Sequence, residues 1–258
     1  MIMTDMECVS GLTCADYMDR SNPLWQDTRA SLTGDVNAAA EGCFQAGAGE
    51  VAIRLGHGPD TLLLDELDPR VTIAGEKSDN FSGLDDSFDA AMMVGQHAKA
   101  GTIDAFLDHT QSSVSIFEHT INGISLGEIG QWALQTGHFN IPVIFLAGDD
   151  AACREAQELL PGIRIVSVGT GCGRQHMAPR NQVQVWKDIS AGAETALKNR
   201  DDWPAVYKLD PPYTVRITVF RADMADKMCR LRSDRKRIDA RTIEMVVDSP
   251  LKILNIFV

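Results

Sequence analysis

The feature that most constrains the fold of this chain is the alternation of short apolar runs with segments of helical periodicity. A helix is predicted to begin after Ser21-Asn22-Pro23 and to end before Gly47, and a second helix is predicted at residues 151–160. Such alternation is typical of an α/β fold with a largely parallel sheet. We therefore expect a three-layer α/β/α fold with a largely parallel mixed sheet. The predicted strands cover residues 1–4, 51–55, 90–94, 141–146 and 163–168.

Two features interrupt this alternation. Asn122-Gly123 lies between apolar residues and predicts a tight β-hairpin turn. Residues 203–212 resemble a linker, and residues 214–220 and 242–247 read as strands on either side of a helix at 222–231. The sequence thus predicts an α/β domain at 1–200 and a small C-terminal β-α-β subdomain at 211–258. The alternative is that this extension adds its strands to the main sheet, so that the chain forms a single domain.

Composition excludes several classes of function. The 258 residues carry a net charge of −12, which argues against a nucleic-acid partner. The basic stretch at 230–237 is interpreted as a solvated surface or a subunit contact. No apolar run is long enough for a membrane span, and no signal peptide is apparent, so we expect a cytoplasmic protein without a membrane partner. The six cysteines form no CxxC pair and are expected to be reduced thiols, mostly buried.

Side chains that can bind a metal follow three of the predicted strands. Asp5 and Glu7 follow the first strand, His57 the second and His97 the third. Because the carboxyl ends of parallel strands share one edge of a sheet, these side chains are expected to lie together. Carboxylates combined with imidazoles suit Zn²⁺, with Mn²⁺ as the second choice.

Each of these residues also has a structural interpretation. Isolated acids and histidines are more often solvated or hydrogen-bonded than functional. Ser125-Leu126-Gly127-Glu128 has the pattern of a helix capping box, which offers Glu128 a purely structural role. Asp149-Asp150 could be catalytic, but a helix N-cap explains at least Asp150. His119, beside the hairpin turn, is more readily structural than catalytic.

Several motifs, taken in order, resemble the zinc-dependent D-aminopeptidase family, the DppA-like dinuclear metallopeptidases. The family opens with a Ser-x-Asp-x-Glu-Gly signature, and here Met3-Thr4-Asp5-Met6-Glu7-Cys8 stands at that place. The order and spacing agree from residue 1 to about residue 200, and the region after residue 210 agrees only in length and pattern. The other matching pieces are His57, Gly95-Gln96-His97-Ala98-Lys99-Ala100, His109, Gly127-Glu128-Ile129-Gly130 and Ala147-Gly148-Asp149-Asp150.

The resemblance implies two zinc ions per subunit, with Asp5 as the bridge between them. It also implies a catalytic role for His109. It further implies a homo-oligomer, with a ring-like decamer as the candidate, whose active sites face an enclosed chamber. The residues that fall on the family's metal-ligand positions are Asp5, Glu7, His57, His97 and Glu128.

The function expected from this resemblance is hydrolysis of the amide bond of D-aminoacyl or other small peptides. Three departures put the substrate in doubt: Met3 replaces a serine, Cys8 replaces a glycine, and Leu55-Gly56 replaces an Asp-Ser pair that often precedes the histidine. They keep open a related metal-dependent amidohydrolase that acts on a non-peptide amide. The glycine-rich run at 169–173 leaves a nucleotide-binding enzyme as a further alternative, and a non-catalytic binding protein is the last.

Overall fold

The computed structural model describes residues 1–75 and 83–257. Strands and helices alternate through much of the chain. The strands are β1 Ile2–Thr4, β2 Ala52–Leu55, β3 Thr72–Ile73, β4 Ala91–Gln96, β5 Ile116–Ile121, β6 Ile124–Ser125, β7 Val143–Gly148, β8 Arg164–Ser167, β9 Gly169–Gly171, β10 Met177–Pro179, β11 Tyr213–Val219, β12 Arg235–Arg237 and β13 Thr242–Val247. The α-helices are α1 Leu24–Gln45, α2 Glu128–His138, α3 Asp150–Leu159, α4 Gln182–Lys198 and α5 Ala222–Cys229. Short 3₁₀ helices cover Ala15–Met18, Leu64–Glu66, Arg200–Asp202 and Pro250–Phe257.

A six-stranded sheet forms the centre of the molecule, in the order β3-β2-β1-β4-β7-β8. Every pairing between neighbouring strands in this sheet is parallel. Strand β1 is an interior strand, and Ile2 pairs with Ile53 of β2 on one side and with Met92 of β4 on the other. The carboxyl ends of β1, β2 and β4 therefore lie side by side, as the pattern of apolar runs predicts.

Helices cover both faces of this sheet. Leu32 of α1 and Ile189 of α4 pack with Ile53 in one buried cluster. Trp132 of α2 and Ala156 of α3 belong to a second buried cluster on the opposite face. The predicted three-layer α/β/α fold is confirmed. Helix α4 was not predicted from the sequence.

The predicted hairpin turn has the expected backbone conformation. Asn122 and Gly123 have φ angles of 51° and 82°, which a two-residue type I′ turn requires. This hairpin, β5-β6, belongs to a second sheet of five strands, in the order β12-β13-β11-β5-β6. Strand β11 pairs antiparallel with residues 116–121, so the C-terminal strands extend this second sheet and not the central sheet. The division of the chain into domains at 1–200 and 211–258 stays a prediction.

The basic stretch at 230–237 is not wholly a solvated surface, so that interpretation is wrong for Arg235. The Arg235 side chain is 1% exposed. Its guanidinium donates to the carbonyl oxygens of Asn255 at 2.8 Å and Ile256 at 2.7 Å. These carbonyls lie in the last 3₁₀ helix, so Arg235 attaches the C-terminal segment to the second sheet.

Two further expectations concern membrane-spanning helices and the cysteine thiols. None of the helices formed by residues 1–75 and 83–257 is long and apolar enough to cross a bilayer. All six cysteines are free thiols, and three of them, Cys8, Cys43 and Cys153, are buried.

Candidate metal centre

Three strand ends bring four polar side chains together at the carboxyl edge of the parallel sheet. Asp5 and Glu7 follow β1, His57 follows β2 and His97 follows β4. Nδ1 of His57 lies 3.1 Å from Asp5 Oδ1 and 3.1 Å from Glu7 Oε1. Nε2 of His97 lies 3.5 Å from the other carboxylate oxygen of Asp5. The two oxygens of Asp5 therefore face two different histidines.

Glu128 completes this group from the first turn of α2. Its Oε1 lies 3.4 Å from His97 Nε2 and accepts the backbone N–H of Gln111 at 2.7 Å. The capping-box interpretation is wrong, because Ser125 ends β6 and Gly127 is the N-cap. Glu128 is the first residue of the helix, not the third, and its carboxylate points towards the strand ends.

His109 lies beside the same carboxylates. Its Nε2 is 3.7 Å from Glu7 Oε1 and 3.8 Å from Glu128 Oε1. The His109 ring stacks on the His97 ring with centroids 3.9 Å apart and an interplanar angle of 13°. Nδ1 of His109 donates to the carbonyl oxygen of Leu107 at 2.8 Å, since a carbonyl can only accept. This leaves Nε2 of a neutral His109 ring as the basic atom.

The loop that carries His109 is held by Asp149. Asp149 is the N-cap of α3, accepting the N–H of Ala152 at 2.8 Å, and it also accepts the N–H of Phe106 at 2.9 Å. The assignment of the cap to Asp150 is therefore wrong. Asp150 is the first residue of the helix and accepts a hydrogen bond from Thr170. Asp149 thus connects α3 to the loop before His109.

His119 lies outside this group. It is buried on β5, where its Nδ1 is 3.2 Å from Gln131 Nε2. Burial lowers the pKa of His119 to about 4. The glycine-rich run at 169–173 does not have the structure of a phosphate-binding loop, because it forms β9 and a turn and does not open a helix.

The charges of Asp5, Glu7 and His57 depend strongly on one another. Burial and then the neighbouring Glu7 carboxylate raise the pKa of Asp5 to about 8. Burial opposes ionisation of Glu7, but the positive charge of His57 outweighs it and holds the pKa of Glu7 well below its ordinary value. Burial also disfavours the His57 imidazolium, yet Glu7 and Asp5 raise its pKa to about 11. These buried carboxylates therefore require positive charge beside them.

The charges of His97 and Glu128 depend on one another in the same way. Burial disfavours the His97 imidazolium, but contact with Glu128 raises its pKa well above the ordinary value. Burial of Glu128 is likewise outweighed by His97, so the pKa of Glu128 is lowered. Burial, and then the positive charge of His97, lower the pKa of His109.

The donor set fits divalent metal ions. Nδ1 of His97 donates to Ala98 O at 3.0 Å, and its buried Nε2 has no hydrogen bond of normal geometry. A histidine whose other nitrogen donates to a carbonyl is the usual arrangement for a metal ligand. The ligand atoms form close sets of three, within 4.8 Å of one another, and Asp5 belongs to two of them. The sets are Asp5, Glu7 and His57; Asp5, His97 and Glu128; and Glu7, His97 and His109.

Comparisons with known proteins agree with this arrangement. The sequence model of a family described as D-aminopeptidase matches residues 1–258. A D-aminopeptidase of Bacillus subtilis (strain 168) is 29% identical over 212 residues, which covers 81% of this chain and 76% of the relative. The solved structure of the Zn-dependent D-aminopeptidase DppA from Bacillus subtilis, a self-compartmentalizing protease, superposes with a TM-score of 0.92. That match has 24% identity and covers 100% of this chain and 95% of the other, so the fold is shared.

The fold and the family match together define the class of this protein as a peptidase, a hydrolytic enzyme. The chain belongs to the D-aminopeptidase family, as the match over its whole length shows. The comparisons do not favour the alternative of an amidohydrolase for non-peptide amides.

Sequence reasoning missed the residues that position this cluster. Gln111 holds the Glu128 carboxylate, and Asp149 holds the loop before His109. Gly95 has a φ of 83°, and a Cβ there would lie 2.1 Å from Asp5 O. Only the glycine gave a local signal, because an isolated glycine in an apolar strand suggests a bulge or a close backbone approach.

Proposed function

We propose that this protein is a zinc-dependent aminopeptidase that hydrolyses the amide bond after an N-terminal D-aminoacyl residue of small peptides. The observation that carries the proposal is the pair of three-residue sets that share Asp5. A carboxylate with one oxygen towards each of two sites is suited to bridge two metal ions. We therefore assign two zinc ions to each subunit, one held by Asp5, Glu7 and His57 and the other by Asp5, His97 and Glu128.

Zinc, when bound, supplies Lewis acidity, which acidifies water and polarises an amide carbonyl. The chain's own residues do the rest. His109 is neutral at neutral pH, because its pKa is lowered, and its Nδ1–H is fixed on Leu107 O. Its Nε2 can therefore accept a proton from water and pass it to the leaving amine. The stacked His97 ring holds the His109 ring in this orientation.

The surroundings of the cluster fit a small substrate. Asp5 and Glu128 line a pocket of about 70 Å³, together with Arg54 and the apolar side chains of Met3, Trp132 and Leu254. A pocket of this size accepts a small group such as a methyl. A short peptide that begins with a small residue meets this condition.

We further propose that the protein works in the cytoplasm as a ring-like homo-oligomer. The related DppA is described as self-compartmentalizing, and this chain shares its fold over its whole length. Native mass spectrometry or light scattering of the purified full chain will show a single large closed assembly. A monomer at micromolar concentration would contradict this part of the proposal.

Metal content and turnover test the main proposal. Purified full-length protein, stripped of metal and then reconstituted, is expected to bind about two equivalents of zinc, measured by inductively coupled plasma mass spectrometry. It should then hydrolyse D-alanyl-D-alanine faster than L-alanyl-L-alanine. Binding of less than one equivalent, or no turnover on any D-aminoacyl amide or dipeptide, would contradict it.

The variant H109A tests the role of His109. It is expected to keep its zinc and to lose about 10²–10⁴-fold in turnover, the usual contribution of general acid–base catalysis. The matched control is H138A, because His138 is exposed at the end of α2. Near-normal turnover of zinc-loaded H109A would remove His109 from the mechanism.

A further inference from the structure

A second pocket adjoins the candidate metal centre and is not used by the proposal above. It has a volume of about 400 Å³, and His109 forms part of its wall. Small-molecule sites typically have volumes of about 300–1,000 Å³. A pocket of about 610 Å³ lies at the amino ends of β1 and β4, at the opposite edge of the sheet from the chemistry. The pocket beside His109, unlike that one, lies where a substrate can occupy it while it reacts.

His109 is common to the pocket and the metal centre. Its Nε2 lies 3.7–3.8 Å from the carboxylates of Glu7 and Glu128, while the residue also lines the pocket. A group that fills the pocket thus lies against the residue proposed to protonate the leaving amine, and that residue also contacts two of the candidate ligands. This position is that of the leaving side of the scissile bond.

One wall of the pocket is an exposed aromatic pair. Phe117 of β5 and Phe220, which follows β11, are 54% and 44% exposed. Their rings meet edge to face with centroids 5.8 Å apart. Large aromatic side chains left in water next to a cavity gain free energy when a ligand covers them. This wall suits an apolar side chain on the leaving residue.

Arg174 adds a cationic side chain to the lining of this pocket and is held rigidly beside His109. The carbonyl oxygen of Arg174 accepts the N–H of Leu107 at 3.0 Å. Nη1 of Arg174 donates to Asp108 Oδ1 at 3.0 Å and also to the Asp108 carbonyl. The other oxygen of that carboxylate accepts the N–H of Gly101 at 2.6 Å. The guanidinium is therefore fixed to the loop that carries His109.

The remaining donors of Arg174 are available to a ligand. Within the part of the chain that the structure describes, Nε and Nη2 of Arg174 make no hydrogen bond, and the side chain is 38% exposed. A guanidinium that presents two parallel N–H donors is matched to a carboxylate. Since a dipeptide has its free carboxylate on the leaving residue, Arg174 lies where that carboxylate is expected.

We propose that the pocket lined by His109, Phe117, Phe220 and Arg174 binds the leaving residue of the substrate, and that Arg174 binds the C-terminal carboxylate of that residue. This inference rests on the proposed aminopeptidase function and specifies its substrate class. The preferred substrates are dipeptides with a free carboxylate and an apolar second residue. Longer peptides and C-terminal amides bind less well, because their leaving segment lacks a carboxylate at this position.

Glu118 also lines the pocket and offers the rival interpretation. Its carboxylate could select a cationic second residue, in which case the wild type would prefer D-alanyl-D-lysine to D-alanyl-D-leucine and E118Q would lower kcat/KM for the lysine dipeptide. The carboxylate interpretation predicts instead that the wild type already prefers D-alanyl-D-leucine and that E118Q lowers kcat/KM for neither dipeptide. The two interpretations therefore differ both in the wild-type preference and in the effect of the variant.

The experiment compares each dipeptide with its own C-terminal amide. For the zinc-loaded wild type, kcat/KM for D-alanyl-D-leucine is expected to exceed that for D-alanyl-D-leucinamide about tenfold or more, the effect of a charge-assisted hydrogen bond. In R174Q this ratio falls to about one, mainly through KM. General damage to the site would lower kcat/KM equally for both substrates and leave their ratio unchanged. The matched control is R180Q, whose arginine is 41% exposed and ion-paired with Asp188 away from this pocket.

The aromatic wall is tested by changing the second residue of the dipeptide substrate. F117A is expected to reduce the preference for D-alanyl-D-leucine over D-alanyl-glycine several-fold. V246A, which shortens a residue of similar exposure outside the pocket, keeps that preference. An unchanged preference in F117A together with a smaller assembly would show that the aromatic pair binds a second copy of the chain, and the proposal would be overturned.

Calorimetry separates this inference from the proposed function. Zinc-loaded protein is expected to bind D-leucine more tightly than D-leucinamide, and R174Q is expected to lose that difference. If no peptide is hydrolysed but this difference holds, the proposed function fails while the carboxylate site stands. If peptides are hydrolysed and both the calorimetric difference and the kinetic ratio are absent in the wild type, Arg174 does not bind the carboxylate and the inference is wrong.

Discussion

The close approach of Gly95 to β1 allows a quantitative test of how the metal centre is positioned. Gly95 lies at a register irregularity in β4 with a φ of 83°. A Cβ at this position would lie 2.1 Å from the carbonyl oxygen of Asp5 and 2.9 Å from its carbonyl carbon. Because these are backbone atoms between two hydrogen-bonded strands, they cannot move aside as the end of a side chain can.

Two costs add up in the variant G95A. A left-handed backbone conformation at a residue with a Cβ costs about 1–2 kcal/mol, and relief of the overlap with the Asp5 backbone costs a further 1–3 kcal/mol or so. We expect a total of about 2–5 kcal/mol, which lowers Tm by roughly 4–20 °C for a chain of this size. Because Asp5 itself must move, the variant should also bind less zinc.

Gly101 supplies the matched control. It has the same φ of 83°, but a Cβ there would meet no atom within 4 Å. G101A therefore carries only the conformational cost, about 1–2 kcal/mol, or a fall in Tm of roughly 2–8 °C. Differential scanning calorimetry and zinc analysis of both variants make the comparison. Equal falls in Tm, with zinc content unchanged in G95A, would refute the argument that this contact positions Asp5.

Three other predictions concern the metal centre and the C-terminal segment. Zinc at a hundredfold excess over its dissociation constant should stabilise the fold by about 2.7 kcal/mol per site, so addition of a chelator should lower Tm in a thermal scan. E128Q should reduce the zinc content towards one equivalent in metal analysis, because the set of Asp5, Glu7 and His57 stays complete; an unchanged content would remove Glu128 from the ligands. R235M should lose about 2–3 kcal/mol in urea unfolding, since the carbonyl oxygens of Asn255 and Ile256 lose a charged donor; an unchanged midpoint would mean that this contact does not stabilise the C-terminal segment.

The parallel sheet could be predicted from the sequence because its strands are continuous apolar runs. A strand that is covered on both faces needs apolar residues at every position, so each strand can be recognised from its own short segment of sequence. The placement of Asp5, Glu7, His57 and His97 at one edge then follows from the topology, and the structure brings them within 3.1–3.5 Å of a neighbour. Their role as metal ligands stays a prediction.

Glu128 and His109 could not be placed by the same reasoning. Neither follows a strand of the central sheet, and the local pattern around Glu128 indicated a helix cap. What brings Glu128 to the strand ends is the docking of α2 on the sheet, where Trp132 packs in one cluster with Met3 of β1 and Met93 of β4. Arg174 was missed for a similar reason, because its partner Asp108 lies in a loop whose position depends on Asp149. Only the family resemblance pointed to Glu128 and His109.

Gly56 shows how the structure changes the meaning of a departure from the family pattern. Leu55-Gly56 replaces the Asp-Ser pair of the family, and loss of a carboxylate that orients a ligand histidine typically costs about 10–100-fold in affinity or activity. In the structure, Gly56 N–H donates to Thr4 O at 3.0 Å, and a Cβ on Gly56 would lie 2.3 Å from that oxygen. The glycine thus continues the pairing of β2 with β1 up to His57, whose Nδ1 reaches both Asp5 and Glu7 at 3.1 Å. The pairing of Gly56 with Thr4 therefore fixes the backbone at His57, and with it the approach of Nδ1 to Asp5 and Glu7, without a carboxylate before Gly56.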